Sequence, residues 1–298
     1  MRERMFYTLF KVFSNIISVI PTLSKIKFIR GLSNKFFGLK LSKKRKKVIL
    51  SNLEYAYPEN TQKENEDIAI KSINNLGMNV IQCLNNYNNQ TLKDLNIMVE
   101  DEYIITDAIK NNKKIIFVTA HFGNWELLTS LIALKYTKML AIYKSLKHKL
   151  FDNYLLISRE NSGLIMKEKH GGIKPLIKSL KKGNSIGLLI DQGTTLEGGV
   201  EVSFFNRPTY FISSASQLSR MTGAIIIPIF IYTDNYIDYK LKVYPEIKSK
   251  KTDDKMKDIQ ECTQVQANVF EAAINLSPGL WFWSHKRWRH TNPDLYNF

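Results

Sequence analysis

His121 and Glu126 stand five residues apart in Ala120-His121-Phe122-Gly123-Asn124-Trp125-Glu126. These are the residue types of a general base and of the carboxylate that orients one. On a continuous helix their side chains would diverge by about 140°, because each residue turns the helix by roughly 100°. They can meet if His121 lies in a turn and Asn124 caps a new helix. Glu126 then falls in the first helical turn, where its charge suits the helix dipole and its carboxylate can swing back to the imidazole. Such a pair would fix the imidazole tautomer and leave one ring nitrogen to take a proton from a substrate hydroxyl. The plainer alternative is a structural histidine tied to a surface glutamate.

The flanking sequence supplies the turn. Ile115 to Val118 is a short apolar run rich in β-branched residues and reads as a buried strand. Gly123-Asn124 interrupts the pattern before Leu127, Leu128, Leu131 and Leu134 resume it with helical spacing. Further strands are expected at Met139 to Tyr143, Ser185 to Ile190 and Ala224 to Tyr232, with helices at Ile173 to Lys182 and Ser213 to Met221 between them. Tyr239 to Tyr244 reads as an antiparallel edge strand. Alternating strands and helices imply an α/β fold with a mainly parallel central sheet flanked by helices, whose sites lie at strand ends. Asp191 sits at such an end, as His121 does, with Gln192 beside it.

Before the sheet, residues 41 to 100 read as a helical cap on an α/β core of residues 101–298. The buried stripe of its long helix is expected to be Ile68, Ile73, Leu76, Val80, Ile81 and Leu84, and its many asparagines are read as source composition. Residues 1–40 are read as a separate membrane-associating segment. Between Met5 and Leu23 a polar stripe of Thr8, Lys11, Asn15, Ser18 and Thr22 runs opposite Phe6, Leu9, Phe10, Phe13, Ile16, Ile17 and Ile20. Interfacial anchoring, a single span and burial against the protein's own core are the three readings of this amphipathic stretch. A cleaved signal peptide is disfavoured by Lys11 and by the lack of a small-residue cleavage site.

The chain has 298 residues and a formal net charge of +16, which points to a polyanionic partner without choosing one. No nucleic-acid-binding pattern accompanies the basic run Lys43-Lys44-Arg45-Lys46-Lys47, so nucleic acid is not an expected partner and anionic lipid is. The two cysteines, Cys83 and Cys262, lack metal-type spacing with histidine, so no metal site is expected. No cofactor is expected either: a Gly-rich nucleotide loop and a Walker lysine are both missing, as is the Gly-x-Ser-x-Gly elbow of a serine hydrolase. At the C-terminal end, Trp281, Trp283, Trp288, His285, Lys286, Arg287 and Arg289 suit either a headgroup-facing surface or tryptophan packing in the core.

His121-Phe122-Gly123-Asn124-Trp125-Glu126 resembles the H-x-x-x-x-D/E signature of glycerolipid-type acyltransferases. Its neighbours resemble the late acyltransferases of lipid A biosynthesis, the lauroyl/myristoyl group. Asn52-Leu53, Tyr57-Pro58, Arg159, Asp191-Gln192, Phe204-Phe205, Thr222-Gly223-Ala224 and Trp283-Ser284-His285-Lys286-Arg287-Trp288 follow in that family's order, over roughly residues 40 to 290. The resemblance implies His121 and Glu126 as catalytic pair, with Arg159, Asp191, Gln192 and Asn124 as substrate contacts. It implies acyl carrier protein as donor and a phosphorylated, Kdo-bearing lipid A precursor as acceptor, at the cytoplasmic face of the inner membrane. An acyltransferase using acyl-CoA on another glycolipid or phospholipid is the first alternative. A non-catalytic basic membrane or nucleic-acid binding protein is the second.

Overall fold

The computed structural model describes residues 43–82, 95–146, 148–168 and 172–298, with residues 8, 12, 16, 20, 24–29 and 31–32 before them. The expected amphipathic segment between Met5 and Leu23, and Cys83, lie almost wholly outside those residues. Among the described residues, no helix is long and apolar enough to cross a membrane.

Helices α1 (Lys43–Ala56) and α2 (Gln62–Gln82) lead into a seven-stranded sheet. Its strands in chain order are β1 (Asn96–Glu100), β2 (Ile115–Thr119), β3 (Met139–Tyr143), β4 (Leu164–Glu168), β5 (Ser185–Leu189), β8 (Ile225–Tyr232) and β9 (Asp238–Val243). In space they run β1-β9-β8-β2-β5-β3-β4. All neighbours are parallel except β8 and β9. Helices α3 (Tyr103–Lys110), α4 (Trp125–Lys135), α5 (Lys149–Asn161), α6 (Lys174–Lys181), α7 (Ser214–Thr222) and α8 (Lys255–Leu276) cover it, and β6 (Gly199–Phe204) and β7 (Arg207–Ile212) form a separate antiparallel hairpin.

Every residue of β2 is buried. Ile116 and Val118 enter the core on one face and Ile115 and Phe117 that on the other, as expected of a central strand covered on both sides. The α/β architecture follows the sequence expectation, with three corrections. β9 is antiparallel to β8, but it is an interior strand, because β1 pairs with its far side. β1 lies in the stretch assigned to the cap, and its alternating, half-exposed Asn-Ile-Met-Val-Glu carries no strong apolar signal. β4 was not expected at all; its Leu-Ile-Met-Lys-Glu is an edge strand with only Leu164 buried.

A further correction concerns how α2 faces. Its buried residues include Asn65, Ser72, Asn75, Asn79 and Gln82, while Val80 is 59% exposed. Asn75 and Asn79 both donate to the Gly123 carbonyl, Asn75 also to Leu280 O, and Ser72 to Trp281 O. The asparagines are thus a buried polar stripe that satisfies loop carbonyls which sheet and helix leave unpaired. Trp281, Trp283 and Trp288 are buried, as is Arg287, so the core reading of the C-terminal aromatics holds rather than a headgroup-facing one.

Candidate active site

β2 and β5 are adjacent and parallel, with Thr119 opposite Leu189. Two residues beyond those partners the same register brings His121 opposite Asp191. Strands about 4.8 Å apart allow their side chains to meet directly. His121 Nδ1 lies 2.8 Å from Asp191 Oδ1, and the His121 backbone N–H donates to Asp191 Oδ2 at 3.0 Å. Trp281 Nε1 donates to the same oxygen at 2.9 Å. The carboxylate therefore grips both the ring and the main chain of the histidine, and it is itself held by an indole.

The pairing expected from sequence, His121 with Glu126, is not the hydrogen bond that forms. Asn124 caps α4 as anticipated, accepting from Leu127 N at 3.0 Å, and Glu126 sits in the first turn. Its carboxylate, however, is taken by the fork of Arg159 from α5: Arg159 Nε donates to Oε2 at 3.0 Å and Nη2 to Oε1 at 2.6 Å. A planar, permanently charged guanidinium matches both carboxylate oxygens, which a single imidazole nitrogen cannot. Glu126 still acts on His121 through its charge. Asn124 is buried, and its amide donates to Gln82 Oε1 at 2.8 Å, so its side chain serves the cap and the contact with α2.

Burial alone would lower the pKa of His121, but the charges of Asp191 and Glu126 and the Asp191 hydrogen bond outweigh it and hold the imidazole above its ordinary value. Burial would likewise raise Asp191, but His121 and the indole donor hold its carboxyl below the usual range. With Nδ1–H directed at Asp191, Nε2 is the nitrogen left for a substrate proton. Gln192 Nε2 lies 3.5 Å from it.

His121, Glu126 and Arg159 line one cavity of about 240 Å³. Trp125, Ile142, Leu146, Leu155, Met166 and Leu189 supply apolar wall, and Thr129, Lys144 and Asp152 polar rim. Trp125 meets the His121 ring edge-on at 5.3 Å. The loop that carries the histidine cannot be rebuilt freely. Gly123 has φ +54°, and a Cβ there would fall 1.9 Å from Ile231 O, so both the turn and the packing require glycine. Phe282 N–H donates to His121 O at 3.0 Å and Gly123 N–H to Leu280 O at 2.9 Å, tying the loop to the C-terminal segment.

Of the residues singled out from sequence, His121, Glu126 and Arg159 share the cavity, Asp191 stands behind the histidine and Gln192 beside it. Trp281 was noted only as part of the aromatic ending; its role as a donor to Asp191 has no local signal. Among the described residues, no group of His, Cys, Asp and Glu is placed to hold a metal ion.

An imidazole backed by a buried carboxylate, on the wall of a partly apolar cavity, is an arrangement capable of general-base chemistry on a substrate with a hydrocarbon part. Residues 3–290 match the model of the bacterial lipid A biosynthesis acyltransferases, and the chain belongs to that family. It is similar to the lipid A biosynthesis palmitoleoyltransferase of Escherichia coli (strain K12), at 22% identity over 252 residues that cover 83% of this chain and 79% of the relative. The lauroyltransferase of the same organism is 25% identical over 264 residues, covering 86% and 83%. A lipid A biosynthesis acyltransferase of Haemophilus influenzae is 23% identical over 266 residues, covering 86% and 80%.

Proposed function

We propose that the protein transfers a fatty acyl chain from acyl carrier protein to a hydroxyl of a Kdo-bearing lipid A precursor, with His121 as general base. The hydroxyl is that of a hydroxyacyl chain already on the acceptor. The observation that carries this reading is the Asp191–His121 couple at the wall of a cavity with apolar lining, in a chain of the lipid A acyltransferase family. Nε2 takes the hydroxyl proton as the oxygen attacks the thioester carbonyl. The imidazolium then returns a proton to the departing thiolate, and no acyl-enzyme is needed. Asp191 keeps the reactive tautomer in place and stabilises the charged ring.

Arg159 and Glu126 lie on the same wall, where the guanidinium suits a phosphate or carboxyl group of the acceptor once Glu126 shares it. The net charge of +16 favours both an acidic carrier protein and a phosphorylated glycolipid, and it fits work at the cytoplasmic face of the inner membrane.

The test is transfer by purified protein from an acyl carrier thioester to a lipid A precursor, followed by mass spectrometry of the product. One added acyl chain is expected, and loss of the base in His121→Ala should lower the rate by about 10²–10⁴. Near-normal turnover by that variant would remove the mechanism. Transfer only from acyl-CoA, or only to a phospholipid or another glycolipid, would move the assignment to a different acyl transfer.

A further inference from the structure

We infer that Gln192 is a catalytic residue whose side-chain amide donates to the oxyanion formed when the thioester carbonyl is attacked. The assignment rests on the acyl-transfer reading and adds a part that reading lacks, a neutral donor beside the base. Its Nε2 is 3.5 Å from His121 Nε2, on the side of the ring away from Asp191. With Nδ1–H given to the carboxylate, His121 Nε2 carries a lone pair, so the only hydrogen-bonded sense of this contact is amide N–H towards imidazole. At rest the amide thus covers the base. An acceptor hydroxyl that reaches Nε2 displaces it, and the freed N–H remains within a few ångströms of the reacting carbon, where donors to a tetrahedral intermediate must stand.

The charged donors that line the cavity itself are less suited. The Arg159 fork is engaged by Glu126, and Lys144 is exposed at the rim. The backbone beneath Gln192 is fixed. A Cβ on Gly193 would fall 2.7 Å from Arg287 O, so the strand end is pressed against the C-terminal segment, while the Gln192 side chain stays partly open. Asp191 on its other flank is locked by three hydrogen bonds. A rigid backbone with a swinging carboxamide lets one group guard the base and then serve the intermediate.

The electron account closes without any further reactant. The acceptor O–H bond breaks and its proton goes to His121 Nε2. The new C–O bond pushes the carbonyl pair onto oxygen, where the Gln192 N–H meets it. When that pair returns, the C–S bond breaks and the thiolate takes the proton from the imidazolium.

Gln192→Ala is expected to lower kcat by about 10²–10³, as loss of one such donor does elsewhere, with KM changed by less than about threefold. Because the His121–Asp191 couple is untouched and the amide is already displaced from Nε2 once substrate is bound, the acid limb of the kcat profile should stay where it is. A tetrahedral phosphonate analogue of the acyl thioester should lose affinity in Gln192→Ala by about the same factor as kcat/KM, whereas the thioester itself should not. Gln192→Glu, of nearly the same shape but without the N–H donors, should not restore the rate at neutral pH, and unchanged circular dichroism would show both variants folded. Turnover within threefold of the parent would overturn the assignment. So would a lost rate accompanied by a shifted acid limb, which would make Gln192 a holder of the ring. Absence of acyl transfer by the parent protein would instead strike the acyl-transfer reading itself, and an active His121→Ala protein the general-base mechanism.

Discussion

Asp191 sets both where His121 sits and how basic it is. As the proposed general base, His121 must be neutral to act, and its pKa is held above the ordinary value by the charges of Asp191 and Glu126 against the opposing effect of burial. Activity should therefore fall on the acid side through a pH higher than the value of about 6.5 typical of free histidine. Asp191→Asn removes the strongest raising influence and leaves burial, so its acid limb should move to lower pH while the plateau drops by up to about 10⁴ as the tautomer is lost. A kcat/KM profile between about pH 5 and 9 checks both effects; an unmoved limb would mean that the Asp191 charge is not what the base feels. All four charged members of this constellation were visible in the sequence, but their pairing was not. Local spacing favours Glu126 for His121. The true partner is seventy residues away, and only the sheet register brings it near.

Among the elements, α2 shows how a pattern can mislead. A stripe of Ile and Leu at helical spacing ordinarily marks the buried side, yet here the asparagines go inside because they have carbonyls to meet. Gly123 O accepts from both Asn75 and Asn79, and that carbonyl belongs to the loop that carries the base. Asn79→Leu, close in shape but without donors, leaves the carbonyl with one fewer partner in a buried setting. A stability loss of about 1–3 kcal/mol is expected, read as a lower thermal midpoint, together with a reduced kcat as the His121 loop loosens. An unchanged midpoint would show that the stripe is dispensable. Strands buried on both faces were legible because nothing else packs β-branched residues so densely; β1 and β4 escaped because each leaves one face wet.

At the scale of the molecule, the last twenty residues close the structure. Asn52 of α1 donates to Trp283 O and to His285 O, each at 2.7 Å, and accepts from Tyr296 OH. Phe122 bridges to Trp281 beside the histidine. Burying one tryptophan removes about 150–250 Å² from water, or roughly 4–6 kcal/mol at about 25 cal/mol/Å². Three of them amount to about 12–18 kcal/mol of gross burial, at least as large as the net stability of about 5–15 kcal/mol of an ordinary domain. A chain ending at Ser277 should therefore lose its cooperative unfolding transition, checked by calorimetry; a sharp transition near the parent's would contradict this view of the C-terminal segment. The family's motifs made that ending conspicuous in the sequence, but not that it would fold back under the site.

The register of β2 with β5 has an evolutionary corollary. Proximity of base and counter-charge is stored as a count, two steps past Thr119 and two past Leu189. Lengthening either step by one would present Ile190 or Gln192 to the imidazole instead, in a protein that still folds. Surface loops commonly tolerate insertions and deletions, whereas these two tetherings should tolerate neither if the couple is to be kept.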